Sequence, residues 1–173
     1  MTIYKTTTDT LASLIIPGFI AVMIIVTAMT GYKSIGQMDG GPAIILAFLA
    51  PALLAVMLVA FWLYRPEAIE LTDDALVIRR KISAVSIPYS DIVQITLPDN
   101  KDLRLAVRTF GNGGLFGYTG KYYKQPYGSM TWYCSQRKNY VLLETTGGKK
   151  IVVTPDERDA MVNELRSRLG QRN

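Results

Sequence analysis

The residues best suited to chemistry or to contact lie between Leu103 and Thr154. That stretch holds eight basic residues (Arg104, Arg108, Lys121, Lys124, Arg137, Lys138, Lys149, Lys150) against one acid, Glu144. Nine aromatics are interleaved with them: Phe110, Phe116, Tyr118, Tyr122, Tyr123, Tyr127, Trp132, Tyr133 and Tyr140. Cations alternating with rings suit an anionic surface, because phosphates attract the charge while rings stack or settle at an interface. The densest candidates for a contact surface are Lys121, Tyr122, Tyr123 and Lys124, followed by Arg137 and Lys138. Catalysis finds less to work with. The 173 residues include no histidine, which removes Ser-His-Asp and Cys-His catalysis and HExxH-type metal sites. Cys134 is the single cysteine, so an intrachain disulfide is excluded and an inert buried thiol is expected. No cofactor, metal or catalytic residue is expected.

The remaining motifs read as structure. Gly111, Gly113, Gly114, Gly117 and Gly120 match neither GxxxxGK[ST] nor GxGxxG, and Tyr122 stands where a P-loop needs Ser or Thr. They predict a structured loop or a bulged hairpin on which aromatics pack. Asp73-Asp74 and Asp99/Asp102 are turn formers. Asp156, Glu157 and Asp159 suit the first turn of a helix, where the dipole favours negative charge.

Positioning starts with two apolar runs. The chain is 49% hydrophobic, and the apolar residues concentrate in its first third. Leu11 to Thr30 and Pro42 to Tyr64 carry no charge, and about 20 helical residues span the roughly 30 Å of bilayer hydrocarbon. Neither shows the polar stripe of a soluble helix. The first exceeds a signal-peptide apolar core, and no small-x-small site follows it. Residues 1–65 therefore read as a transmembrane hairpin, with helices over about 11–30 and 42–64 joined by the glycine-rich link Gly31 to Gly41. Phe61, Trp62, Tyr64 and Arg65 mark the membrane interface. Lys5, Arg65, Arg79, Arg80 and Lys81 outnumber Lys33 in the link, which places both termini in the cytoplasm. The spans lack ionisable residues, against a transport path, and Ala47, Ala50 and Ala55 permit close helix packing.

Residues 66–173 read as one small domain of short strands. Strands are expected over 68–71, 75–80, 84–89, 91–97, 103–109, 129–134, 140–145 and 149–154. Leu103, Leu105 and Val107 form the dry face of the fifth, and Gly147-Gly148 marks a hairpin, because both glycines can take positive φ. A helix over 155–170 closes the chain, with Thr154 as N-cap, Pro155 at its first position and Glu157 completing a capping box. Met161, Val162, Leu165 and Leu169 form its apolar face.

Two stretches carry a resemblance: Ala68 to Ile95, with IPYSDIVQI, and Arg108 to Glu157, with RTFGNGGLFGYTGKYY, QRKNYVLLET and KKIVVTPDE. The chain resembles the bacterial PH-domain (pleckstrin-homology-like) membrane proteins. The resemblance implies a membrane-anchored α+β protein: a two-helix hairpin followed by a PH-like rolled β-sheet or barrel capped by a C-terminal helix, in the cytoplasm of a bacterium. Phosphoinositide-binding PH domains use basic residues around their first hairpin, whereas Thr72-Asp73-Asp74 is acidic here. The expected function is a binding or assembly module at the inner membrane. Its partners are the lipid bilayer, anionic lipid headgroups, a second copy or another membrane protein; nucleic acid is disfavoured. The alternatives are an accessory subunit of a larger membrane complex and, remotely, an enzyme with an unrecognised site in the glycine-aromatic loop.

Overall fold

The computed structural model describes residues 1–8, 18, 20–29, 31–32 and 41–170, without side chains at 41–44, 46–47 and 50. The elements run β1 (Thr2–Lys5), α1 (Gly41–Leu63), β2 (Pro66–Leu71), β3 (Ala75–Arg80), β4 (Ala84–Pro88), β5 (Ile92–Thr96), α2 (Asn100–Arg104), β6 (Val107–Gly113), β7 (Tyr118–Lys124), β8 (Gly128–Cys134), β9 (Val141–Thr145), β10 (Lys150–Val153) and α3 (Arg158–Gly170). Residues 20–29 are also helical. The start of the first apolar run, 11–17, and most of the link, 33–40, lie outside the described residues.

The strands make two sheets, ordered β1-β2-β3-β4 and β5-β9-β10-β8-β7-β6. Of the expected rolled sheet or barrel, the barrel is not closed: Pro88 ends β4, a 3₁₀ turn at Tyr89–Asp91 intervenes, and no ladder joins β4 to β5 among the described residues. The sheets instead pack face to face. Ile69, Leu71, Leu76 and Ile78 from the first meet Val141, Leu143, Ile151 and Val153 from the second, and Met161, Val162 and Leu165 of α3 complete this core. The other face of the larger sheet carries a second core, with Leu103, Tyr122, Trp132, Tyr140, Leu142 and Val152. Tyr122 and Trp132 stack with ring centroids 4.1 Å apart. Successive residues of β9 and β10 therefore bury on opposite faces, which accounts for their unbroken apolar runs.

Four local expectations change. Residues 2–5, grouped by sequence with the anchor, form β1 and pair antiparallel with β2, Lys5 opposite Ala68 and Thr2 opposite Leu71. The strand expected over 103–109 begins only at Val107. One turn of helix α2 precedes it, burying Leu103 and leaving Leu105 and Val107 exposed. Only Gly148 takes positive φ in the β9–β10 turn, at 70°. The Thr154 hydroxyl accepts a bond from Ser135 N at 3.0 Å instead of capping α3, which starts at Arg158. The bulged hairpin is present as β6–β7, its register shifting between Arg108 and Phe110. Gly111 and Gly120 face each other across it at φ 107° and 127°, and a Cβ on either would strike the other's backbone.

Helix α1 is 23 residues long, about 34 Å at ~1.5 Å per residue, and its sequence holds no charged residue. Among the described residues, no helix is long and apolar enough to cross a membrane. Described side chains of both helices are apolar and exposed, among them Val22, Ile24, Leu53 and Val56. A groove of about 610 Å³ runs between them, lined by Ile24, Thr27, Pro51 and Ala55; the side chains of Ala47 and Ala50 lie outside the described residues.

Candidate functional site

Backbone pairing gives the domain two ends. The chain leaves β1 at Lys5 and re-enters β2 at Pro66, and Thr6 N donates to Glu67 O at 3.2 Å. The apolar segment thus departs from and returns to one sheet end, called the anchor end after the hairpin that the sequence predicts. Asp156 N donates to Lys5 O at 3.0 Å. The Asp156 carboxylate accepts bonds from Thr7 N (3.0 Å), the Thr7 hydroxyl (2.8 Å) and Gln136 Nε2 (3.2 Å). These bonds bring the β8–β9 loop, with exposed Arg137 and Lys138, to the same end.

Of the residues expected at a membrane interface, Trp62 and Tyr64 meet cations of the β3–β4 turn here and Arg65 pairs with Glu67 of β2. Lys81 Nζ sits 4.3 Å from the Trp62 ring centroid and 3.0 Å from Glu67 Oε1, and Arg65 Nη2 lies 3.3 Å from the same oxygen. The Lys81 ammonium, ahead of Arg65, holds the Glu67 carboxyl below its ordinary range. The Arg80 guanidinium stands over two rings, 5.4 Å from Tyr64 and 5.7 Å from Tyr133. In the sequence Arg79, Arg80 and Lys81 served only as orientation signals; their run of three cations followed by apolar Ile82 was the available clue.

The contact candidates separate. Lys121, Tyr122, Tyr123 and Lys124 lie along β7 rather than at a tip, with Lys124 opposite Gly128 at the end away from the anchor. Lys121 and Tyr123 are exposed, but Tyr122 is 3% exposed and its hydroxyl donates to Asn112 O at 2.7 Å. Burial pushes the Tyr122 phenol up to about 12, so this ring belongs to the core and is not available to a partner. Arg137 lies 4.7 Å over the Tyr118 ring. Cys134 is fully buried, its Sγ donating to Val152 O at 3.5 Å, and burial raises its pKa well above the ordinary thiol value.

The gap between β4 and the larger sheet forms a groove of about 490 Å³, lined by Val85, Ser86, Tyr133, Thr145 and Ile151 among others. The bonds Arg80 N to Ser83 O and Tyr89 N to Asp74 O, both 3.0 Å, set the phase of the β3–β4 ladder. Val85 and Ile87 consequently bond inward, while Ala84, Ser86 and Pro88 turn their backbone groups to the open edge. Such an edge accepts an extended segment by strand addition.

A family model described as bacterial PH domain matches residues 67–169. No curated protein and no solved structure matches the chain.

Proposed function

The chain belongs to the bacterial PH-domain family, and from that premise we propose that it is a non-catalytic binding module held at the bacterial cytoplasmic membrane by its helical pair. One observation carries the reading: β1 and β2 are hydrogen-bonded neighbours, and the apolar segment is the excursion between them. A segment that leaves and re-enters one sheet end crosses a bilayer an even number of times. Both termini and the domain then share one side. The excess of Lys5, Arg65, Arg79, Arg80 and Lys81 over Lys33 favours the cytoplasmic side. Exposed Val22, Ile24, Leu53 and Val56 support lipid as the solvent of the helices, since an apolar surface of this extent in water drives aggregation. The groove beside β4 supports a protein partner bound as an extended strand, in keeping with an accessory role in a membrane complex.

The test uses the full chain. After an alkaline carbonate wash it stays with the membrane fraction, and a green fluorescent protein fused at either end glows. Recovery in the wash, or termini reporting opposite sides, overturns the reading.

A further inference from the structure

We infer that the open edge of β4 takes up an extended segment of another protein as a fifth strand of the smaller sheet, its inward side chains apolar around a carboxylate that meets Lys121. This site rests on the binding-module reading and deepens it by naming the segment's chemistry. The two sheets are unequal, four strands against six. The groove at β4 has Thr131 and Tyr133 of β8 and Ile151 of β10 for its floor, so β4 lies above β10 and β8 while β7 and β6 continue beyond it. Ladder partners share a face, and the register runs Ile151, Thr131, Lys121, Phe110 across β10, β8, β7 and β6. Tyr123 and its partner Val107 lie on the same face, two residues along β7 from Lys121. No layer of the described residues covers this part of the floor: Phe110 is 76% exposed, Val107 64% and Tyr123 44%. A strand added to β4 supplies that layer, bonding to the outward backbone groups of Ala84 and Ser86.

Position and charge choose the occupant. Val107 and Tyr123 close the β6–β7 ladder at one end; its other end carries Gly113 and Tyr118, and Tyr118 faces Cys134, which leads into the β8–β9 loop at the anchor end. On the anchor reading the apolar patch therefore points away from the bilayer. A second copy does not fit by β4-to-β4 pairing. Antiparallel neighbours in one sheet are related by a two-fold axis perpendicular to it, so the two larger sheets would fall in one layer, where each already projects past its own β4. A lone strand brings no second layer and fits. Its composition follows from the floor. Lys121 is exposed there, Lys149 lines the groove, and Arg80 stands 5.7 Å from the Tyr133 ring, whereas Asp91 is the one acid among the described lining residues. Glu144, the nearest carboxylate in the β9–β10 ladder, is taken by Lys150 at 3.3 Å. A carboxylate complements these cations, and apolar neighbours on the same side of the strand cover Phe110 and Tyr123.

The experiment places the full chain in phosphatidylcholine nanodiscs and reads the fluorescence polarisation of a labelled peptide, TVTETVT, whose valines and glutamate share one side of a strand. It binds saturably, and TVTKTVT binds more weakly. Val85 and Ile87 pack inward, so the peptide's inward residues sit opposite them and its threonines opposite Ala84 and Ser86. N-methylation of the threonine nitrogens therefore abolishes binding, while methylation of the inward set leaves it unchanged. Phe110→Ser raises Kd about tenfold, Lys121→Glu reverses the preference between the two peptides, and Lys138→Gln alters neither. Ser86→Pro removes an outward N–H and blocks binding; should it fail to fold, the methylated peptides carry the test of the edge. No saturable binding, equal effects of the two methylated sets, or an unaltered peptide preference in folded Lys121→Glu overturns the site. A dimer in detergent, seen by light scattering and dissolved by Phe110→Ser, assigns the patch to a second copy and overturns the partner. Failure of the anchor is read separately in the carbonate wash: a chain recovered in the wash that still binds TVTETVT keeps the site and loses the anchor, and a membrane-held chain that ignores the peptide loses the site alone.

Discussion

The two ends of the domain handle charge in opposite ways. At the far end, Glu164 of α3 gathers the N-terminal strand: the Thr2 hydroxyl and the Tyr4 hydroxyl each donate to it at 2.6 Å, and Arg168 Nη2 does so at 2.6 Å. Arg168 also donates to Thr72 O at 2.6 Å, tying the β2–β3 turn to the helix. Donors and acceptors there are matched within the chain. At the anchor end the cations Arg65, Arg80, Lys81, Arg137 and Lys138 exceed the acids, and Arg80 Nε and Ser83 Oγ are among the buried polar atoms of the described residues without a hydrogen-bond partner. A network closed on itself contributes stability; one left open leaves something for a partner to supply.

The comparison breaks most readily at Glu164. Replacing it by Ala leaves Arg168, Tyr4 and Thr2 without their acceptor and frees β1 from α3. We expect a loss of about 2 kcal/mol in unfolding free energy, measured by denaturant titration of the full chain in detergent. Arg80→Gln at the anchor end, measured alongside, leaves stability nearly unchanged when no anionic lipid is present. Equal losses at the two ends abolish the distinction.

pH sharpens it. The bonds from Thr2 and Tyr4, with Arg168, pull the Glu164 carboxyl down to about 2 from 4.5. Its contribution is complete above pH 4.5 and disappears as pH falls toward 2. Tyr4, chiefly through burial and then its bond to Glu164, is pushed up to about 12 from 10.0. The unfolded chain loses that proton first, so stability falls as pH rises from 10.0 toward 12. Each arm is worth about 1–2 kcal/mol once solvent screening at this partly exposed network is allowed for. Glu164→Gln flattens the acid arm and Tyr4→Phe the alkaline arm in midpoint-versus-pH curves.

How legible each end was follows from the range of its interactions. The Asp73-Asp74 turn before ALVIRR, the Gly147-Gly148 turn and the spacing of Met161, Val162 and Leu165 are local signals, and they placed β3, the β9–β10 turn and α3. β1 escaped because four residues carry little pattern and their partner lies beyond the whole apolar excursion; Ile3 and Tyr4, both strand formers, were the only hint. The alternation at Leu103, Leu105 and Val107 misled because one helical turn buries Leu103 as well as a strand would. Tyr118, Tyr122, Trp132 and Tyr140 looked like a contact surface because an aromatic has the same composition signal on either side of a sheet. Only the second core shows where they go. The contacts of Arg80 with Tyr64 and Tyr133 join residues far apart in sequence, and no local pattern carries them.

The smallest effect tests the comparison most closely. Asp73 carries a negative charge at the far end, 3.8 Å from Arg168 Nη1, in a side chain that is 95% exposed. Water screens such a pair, and Arg168 retains Glu164 as its main acceptor. Asp73→Asn therefore leaves the unfolding midpoint unchanged at low and at high salt. If charge alone governed lipid preference, removing this acid would strengthen phosphatidylglycerol binding, because the net charge of the chain rises. If position governs it, binding is unaltered, since Asp73 sits where β2 turns into β3, at the end opposite the anchor. Lys81→Gln makes the same size of charge change beside Trp62 and Glu67 and weakens phosphatidylglycerol binding a few-fold. Titrating the two variants against the same lipid separates net charge from placement, and a matched pair of shifts would leave no reason to treat the two ends as different.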